Sequence, residues 1–246
     1  MECPKCKYEQ ADGEICLSCG IVFEKYYIQK NKLPETILSD ENNINSNGIV
    51  TIGSLLFNIE QSVNPIFFIG RLSIYIFLLI WSWFFLNSSI ESNYVGESFM
   101  HLINLPFHEA GHIIFKPFGV FITSLGGTLG QILMPLICMY VLLIRTRDPF
   151  GASVSFWWFG ENFLDIAPYI NDARAGQLLL IGGNFGHSSP YGFHDWEFIL
   201  TESGFLQYDH LLAKTAFIIG ALIIPLSLIW SGFLMFKQYR QIKIEV

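Results

Sequence analysis

The sequence predicts a mainly α-helical, polytopic membrane protein with four to six spans, one of them a candidate re-entrant hairpin, and a small N-terminal zinc knuckle. Of the 246 residues, 52% are hydrophobic and 14% are charged, whereas soluble domains carry about 25% charged residues. Residues 1–65 hold 14 of the chain's 35 charged side chains, so a polar N-terminal quarter precedes an apolar body. Four of the five cysteines lie in that polar quarter. This composition excludes an ordinary cytosolic enzyme, and the few basic residues exclude a nucleic-acid partner.

Two CxxC pairs define the predicted zinc-ribbon-like knuckle, residues 1–32. Its four thiols are those of Cys3, Cys6, Cys16 and Cys19. Each CxxC turn brings two sulfurs to one ion, and four thiolates are a common ligand set of structural zinc. Gly20 follows the second pair and suits a turn with a positive φ. Because cysteines and charges stand where a secretory leader would be apolar, we expect a reducing compartment that disfavours disulfides. The knuckle is a candidate contact for a cytosolic protein partner.

Residues 33–65 are predicted to form a linker and an interfacial segment. Residues 35–48 are rich in Asn, Ser and acidic side chains, which is typical of a flexible linker. Residues 49–63 are mildly amphipathic, and we expect them to lie on the membrane surface. The preceding residues 21–32 are predicted to form a short helix, and the lysines there favour a cytosolic N-terminus.

Residues 66–246 are predicted to form a membrane-embedded, metalloprotease-like domain, since a spanning helix needs about 20 apolar residues. The candidate spans are Ile66–Leu86, Phe99–Phe118, Leu129–Ile144, Phe150–Ile170 and His210–Phe236. Basic residues after the last span favour a cytosolic C-terminus, which requires an even number of crossings. Either one candidate is therefore re-entrant, or residues 176–185 complete a broken span. Residue usage rich in Ile, Phe and Asn is compatible with the bacterial inner membrane, which is the predicted location.

The second candidate span contains the metal-binding pattern HEAGH, from His108 through Glu109 to His112. Positions i and i+4 share one face of a helix, so both imidazoles can reach a single zinc ion. Glu109 is the predicted general base, which takes a proton from zinc-bound water and delivers it to the leaving amine. Ionisable groups are costly at membrane depth, which favours a functional site here. The predicted cofactors are therefore one catalytic and one structural Zn²⁺.

An intramembrane HEAGH motif in a multi-span chain resembles the site-2 protease family of intramembrane zinc metalloproteases. The resemblance covers residues 99–170 and implies a zinc endopeptidase that cuts a membrane protein or peptide in or near a transmembrane segment. It also implies a membrane-embedded hairpin at residues 119–127. The family's third zinc ligand is an Asp in a later span, and Asp165 is the matching position. The family's Asn-Pro-Asp-Gly context is absent, because Ile166 follows Asp165.

Three further polar residues are candidates for the site. His194 is the alternative third ligand, because zinc accepts imidazole and carboxylate alike. Whichever of Asp165 and His194 is not a ligand could orient a ligand histidine. Asn162, one turn before Asp165, is a candidate for holding the substrate backbone or the oxyanion, or for a helix–helix hydrogen bond. Asp195, beside His194, is a candidate contact of the substrate or of a ligand histidine.

The sequence supports two functions of different classes. The first is the intramembrane zinc endopeptidase, whose substrate must unwind locally because helical backbone groups are internally bonded. The second is a non-catalytic membrane scaffold or sensor with a structural zinc site. Such a site would need four protein ligands, for instance His108, His112, Asp165 and His194. A metal transporter is disfavoured, because its polar residues should form a chain across the bilayer rather than one cluster. The expected partners are the lipid bilayer, the membrane substrate and the cytosolic protein.

Overall fold

The structure, a computed structural model, describes residues 1–11, 13–31, 52–59, 63–181 and 183–244. The chain divides into two compact units, Met1–Thr51 and Ile52–Val246. The predicted flexible linker, residues 35–48, lies outside the described residues. In the described ranges the protein is mainly helical, as predicted, and β-structure is limited to three isolated antiparallel bridges.

The first unit is a small fold built around the four cysteines. Each CxxC turn is closed by a backbone hydrogen bond of 2.9 Å, from the Lys7 N–H to the Cys3 carbonyl and from the Gly20 N–H to the Cys16 carbonyl. Gly20 has a φ of +72°, the conformation that glycine adopts without strain. Helix α1 (Phe23–Asn31) follows, and its first residue packs against buried cysteines. The predicted short helix at residues 21–32 is therefore confirmed.

The second unit is a bundle of helices joined by turns and loops. Its described helices are α2 (Ile52–Phe57), α3 (Pro65–Leu86), α4 (Phe99–Phe115), α5 (Val120–Ile144), α6 (Pro149–Asn171), α7 (Asp195–Glu202) and α8 (Asp209–Ile244). Helix α8 continues through Pro225 without a break. Residues 176–185, the alternative broken span, contain no helix among their described members and carry one isolated bridge instead.

Among the described residues, three helices are long and apolar enough to cross a membrane. They are α3, α5 and a stretch from Leu206 to Ile242 that includes most of α8. Apolar side chains such as Ile66, Phe67 and Trp83 are exposed on α3, and large exposed apolar surfaces mark contact with a membrane or a partner. These features indicate membrane association. That α4 and α6 also cross the bilayer stays a prediction.

The predicted membrane-embedded hairpin at residues 119–127 is wrong. The chain turns once at Gly119, whose φ is +94°, and continues as the single helix α5, Val120–Ile144. The later glycines of this segment serve helix packing instead of a turn. A Cβ added to Gly111 of α4 would lie 2.7 Å from the carbonyl carbon of Gly126, which is closer than atoms can approach. Helices α4 and α5 therefore lie in close contact beside the HEAGH segment.

Helix α6 occupies the interior of the bundle and packs against α8 and α5. Its Trp157 and Leu164 share one apolar cluster with Phe85 of α3 and Met100 of α4. The Trp157 Nε1–H donates to the Ser82 hydroxyl at 2.7 Å, which satisfies a buried donor. On the side of α6 that meets α4 and α5, polar side chains replace this apolar packing. Those polar residues adjoin the candidate site.

Candidate metal centre

The HEAGH segment lies on α4, where His108 and His112 stand one turn apart on the same face. The Nδ1 of each ring has a hydrogen-bond partner at 2.8 Å, which is the Gln131 Oε1 for His108 and the Thr123 carbonyl oxygen for His112. A carbonyl oxygen only accepts, so the His112 Nδ1 carries a proton, and Nε2 is the nitrogen whose lone pair is left for a metal in the neutral ring. This is the arrangement expected of a metal-binding imidazole, whose second nitrogen donates to an acceptor that fixes the ring.

Asp195, the first residue of α7, is the third member of the cluster. Its Oδ2 lies 3.2 Å from the His108 Nε2 and 3.3 Å from the His112 Nε2. Ligand atoms that are each about 2.0 to 2.1 Å from a tetrahedral zinc ion are about 3.3 Å apart, so this spacing fits a shared ion. All three ligand atoms lie within 4.8 Å of one another. Two imidazoles and one carboxylate could therefore hold one metal ion here.

The loop between α6 and α7, residues 172–194, carries Asp195 to the histidines. Asp172 anchors the start of this loop, because its carboxylate accepts the backbone N–H groups of residues 177 and 178 at 2.8 and 2.9 Å. His194 anchors the end. Its Nδ1 accepts a backbone N–H from the first turn of α7, and its Nε2 lies 3.5 Å from the Asp172 Oδ2. The two ends of the loop are thus joined beside the cluster.

Tyr169 of α6 orients the Asp195 carboxylate. Its hydroxyl accepts the Asp195 N–H at 3.0 Å and donates to the Asp195 Oδ2 at 3.3 Å. Burial raises the pKa of Asp195, but hydrogen bonds with His108 and His112 outweigh burial and lower that pKa overall. Asp195 is therefore an anion at neutral pH, which is the form that binds a cation.

Asp165, the predicted third ligand, lies outside this cluster. Its Oδ1 is 2.9 Å from the His101 Nδ1, and its Oδ2 accepts the Asn104 and Gln131 side-chain amides at 2.9 and 3.2 Å. Both oxygens are thus engaged by side chains of α4 and α5. The carboxylate that the fold places beside the histidines is Asp195, because the loop after α6 turns back over α4.

The other two predicted residues also have partners outside the cluster. His194 is fully buried, and its ring lies tilted against the Tyr169 ring with the centroids 4.3 Å apart, while its nitrogens face Asp172 and the start of α7. Asn162 is fully buried as well, and its Nδ2 donates to the Trp158 carbonyl at 3.0 Å within α6. The structure therefore brings neither side chain to the histidine pair.

A gap in the side-chain packing lies directly beside the two histidines. Gly127 of α5 backs onto them, and a Cβ added there would overlap the His108 Nε2 and lie 2.6 Å from the His112 Nε2. The absence of a side chain at this position leaves room next to both nitrogens. The donor set is also one that zinc uses in proteins. By both tests the residues fit a zinc ion.

The cluster opens into a cavity of about 320 Å³. Glu109 lines the cavity, and its carboxylate has no hydrogen bond or ion pair with the side chains of the described residues. The apolar side chains of Leu105, Leu179, Ile181 and Phe193 also line it. Polar and apolar residues line the cavity in about equal number, and a concave site that combines apolar walls with convergent polar groups suits a small ligand or substrate.

The knuckle holds a second cluster that could bind metal, as the two CxxC pairs predicted. The Cys3 and Cys19 sulfurs are 3.7 Å apart, and the Cys6 and Cys16 sulfurs are 3.6 Å apart. Sulfurs at about 2.3 Å from a tetrahedral zinc ion are about 3.8 Å apart, so these distances fit four thiolates around one ion. All four thiols are free.

Three residues of the site were not predicted from the sequence. Gln131 and Gly127 lie on α5, and Tyr169 lies near the end of α6. The signal for Gln131 was present, since an amide in an apolar helix usually has a polar partner. Tyr169 and Gly127 carry no such signal, because aromatic residues and glycines are common throughout this chain.

Comparison of the chain with models of protein families, with curated proteins and with solved structures gives no match. The resemblance to the site-2 protease family therefore depends on the motif residues alone.

Proposed function

We propose that this protein is a membrane-bound zinc endopeptidase that hydrolyses a peptide bond in or near a transmembrane segment. One observation carries the proposal: His108, His112 and Asp195 converge beside a cavity that Glu109 lines. Three protein ligands with an open fourth position are typical of catalytic zinc, whereas structural zinc is enclosed by four. Glu109 supports catalysis further, because a structural site has no use for a free carboxylate at the opening.

The chain's own residues would perform the proton transfers. A zinc ion, when bound, supplies a Lewis acid that polarises the scissile carbonyl and acidifies water. Glu109 accepts the proton of the attacking water and then gives it to the leaving amine nitrogen, so that the C–N bond breaks and both products leave neutralised. Asp195 and the two imidazoles would hold the ion through atoms that Tyr169 and the Thr123 carbonyl orient.

The cavity favours an apolar, extended peptide as the substrate. Its apolar lining suits the side chains of a membrane segment. The carbonyls of an intact helix are internally hydrogen-bonded and cannot reach a metal site, so the bound segment must be unwound. The scaffold alternative, a closed site of four ligands, finds less support, because Asp165 and His194 are engaged elsewhere.

For the knuckle we propose a structural Zn²⁺ and a cytosolic protein partner, with the membrane unit in the bacterial inner membrane and four to six spans. The four sulfur atoms support the metal, because all lie within 4.8 Å of one another and two pairs have the spacing of a tetrahedral site. The apolar Leu17 is 82% exposed between the second pair of cysteines, where it is available to a partner. Basic residues near both ends of the chain support the cytosolic orientation.

Replacing Cys16 with Ser is expected to lower the zinc content of the purified protein from two ions per chain to one. The knuckle has almost no apolar core of its own, so its folding depends on the metal. Metal analysis after gel filtration measures the content. Cys138→Ser is the matched control, because Cys138 lies on α5 outside both clusters, and it should keep both ions. Two ions in Cys16→Ser would contradict the four-thiolate site.

The proposed activity is tested with the full chain in detergent and a panel of labelled transmembrane peptides. We expect cleavage by the zinc-loaded protein, loss of cleavage with 1,10-phenanthroline, and recovery when zinc is restored. The knuckle's metal is not needed for the chemistry, so Cys16→Ser is expected to retain cleavage in the same assay. Two bound zinc ions without cleavage of any peptide would favour the scaffold. A cleavage rate that does not change when 1,10-phenanthroline is added would contradict a zinc mechanism.

A further inference from the structure

Asp165 stands at the centre of a buried polar network that ends on a metal-binding histidine. Its Oδ2 accepts the Gln131 Nε2–H at 3.2 Å, and the Gln131 Oε1 lies 2.8 Å from the His108 Nδ1. Asp165 and Gln131 are only 5% and 4% exposed, and both lie at the wall of the cavity. His101 and Asn104 hold the carboxylate from its other sides, each at 2.9 Å.

The chemistry of these groups sets which atom donates and which accepts in the two hydrogen bonds that link Asp165 to His108. A carboxylate offers only acceptors, so the Gln131 nitrogen must face Asp165 and its oxygen must face His108. That oxygen also only accepts, so the His108 Nδ1 must carry the proton. In the neutral ring that binds a metal, the lone pair of His108 is then on Nε2, the atom that faces His112 and Asp195 in the cluster.

The two histidines reach this tautomer by different means. For His112 the acceptor is the Thr123 backbone carbonyl, which cannot reverse its polarity. For His108 the acceptor is a side-chain amide, which could turn through 180° and present its NH₂ group instead. The carboxylate of Asp165 is the group that prevents this rotation. His108 therefore depends on a residue that it does not touch.

We propose that Asp165 is a positioning residue that acts through Gln131 to hold His108 in its metal-binding tautomer. The inference depends on the metal centre of the proposed function and assigns Asp165 a role other than metal ligand. When residue 165 is an amide, it offers both a donor and an acceptor, so Gln131 can adopt either orientation. A share of His108 would then carry its proton on Nε2 and could not bind the ion.

The test measures the zinc affinity of the full chain in detergent by competition with a chelator, with zinc kept in the knuckle. Asp165→Asn is expected to weaken the histidine site about 10- to 100-fold, the usual effect of losing a partner behind a ligand. Gln131→Leu should cause a similar loss. Because Asp165 acts through Gln131, the double variant should lose no more than Gln131→Leu alone.

A matched control lies one turn away on the same helix. Glu161 is fully buried and accepts from the same Asn104 at 3.0 Å, but its hydrogen bonds do not include Gln131. Glu161→Gln thus replaces a neighbouring buried carboxyl group while Gln131 keeps its partner. This variant is expected to retain the zinc affinity of the wild type, and an equal loss in it would overturn the proposal.

Cobalt bound at the histidine site distinguishes a positioning residue from a ligand. Asp165→Asn should leave the visible Co²⁺ spectrum unchanged, because the ligand set stays the same. A changed spectrum, or no ion at saturating metal, would make Asp165 a ligand and overturn the proposal. If the fold-losses of zinc affinity in the two single variants multiply in the double variant, that result would also overturn the proposal. A wild type that binds zinc only in its knuckle would instead defeat the proposed function, so the two failures are distinguishable.

Discussion

Replacing Glu109 with Gln is expected to lower peptide hydrolysis by about 10³-fold or more, within the range reported for general acid–base groups, while both zinc ions stay bound. The amide keeps the size of the side chain but can neither take a proton from water nor return one to the leaving nitrogen. Glu109 lines the cavity and is not a member of the ligand cluster, so the metal should be unaffected. Initial rates on a labelled transmembrane peptide and metal analysis of the same sample measure both quantities.

Glu91→Gln is the matched control for this change. Glu91 is an exposed glutamate in the turn before α4, outside the cavity, so the same loss of charge should leave the rate unaltered. Cleavage by Glu109→Gln at more than about a tenth of the wild-type rate would exclude Glu109 as the proton-transfer group. Loss of the metal along with the activity would show that Glu109 acts on the cluster instead.

Features that depend on spacing within one turn or one helix could be predicted from the sequence. The two CxxC pairs and the i, i+4 histidines each bring their ligand atoms together without help from distant residues. The structure accordingly gathers the four thiols in one cluster and both imidazoles in the other. The long apolar helices were predictable for the same reason, because their length and composition are local properties.

The third member of the histidine cluster depends on the path of a long loop, which the sequence does not reveal. Asp165 was the predicted third ligand, because a carboxylate inside an apolar segment needs a partner. Its partners are the amides of α4 and α5, and these are known only once the helices are packed. Asp195 has its own short-range signal, since it follows His194 at the start of a helix, but nothing local shows that this helix returns to α4.

The glycines after the HEAGH motif are compatible with two structures, and the sequence does not show which of them forms. A pair of glycines permits a tight turn, and the same pair permits two helices to approach closely. The outcome is decided by the neighbouring helix: Gly126 lies against Gly111, and Gly127 lies against the histidines. Local sequence therefore did not reveal the use of these glycines, since the partner of each glycine is set by tertiary packing.

Replacing Asp195 with Asn is expected to lower the zinc affinity of the histidine site by about 10³-fold and to abolish cleavage at low zinc. Zinc sites in proteins bind with about 10 to 16 kcal/mol, so one of three ligands contributes about 4 kcal/mol, which is about 10³-fold. The amide is close in size to the carboxylate but has no charge, and its nitrogen cannot coordinate. Chelator competition and metal analysis of the full chain measure the loss, with zinc in the knuckle as an internal reference.

Glu197→Gln provides the control, because Glu197 lies two residues farther along α7 and its carboxylate is not in the cluster. It should bind zinc as the wild type does. The Co²⁺ spectrum should change in Asp195→Asn and stay unchanged in Asp165→Asn, so the pair of variants separates the ligand from the residue behind it. Wild-type affinity in Asp195→Asn would exclude this carboxylate as the third ligand. The short distances from Asp195 to both imidazoles would then reflect an ion pair that the metal displaces.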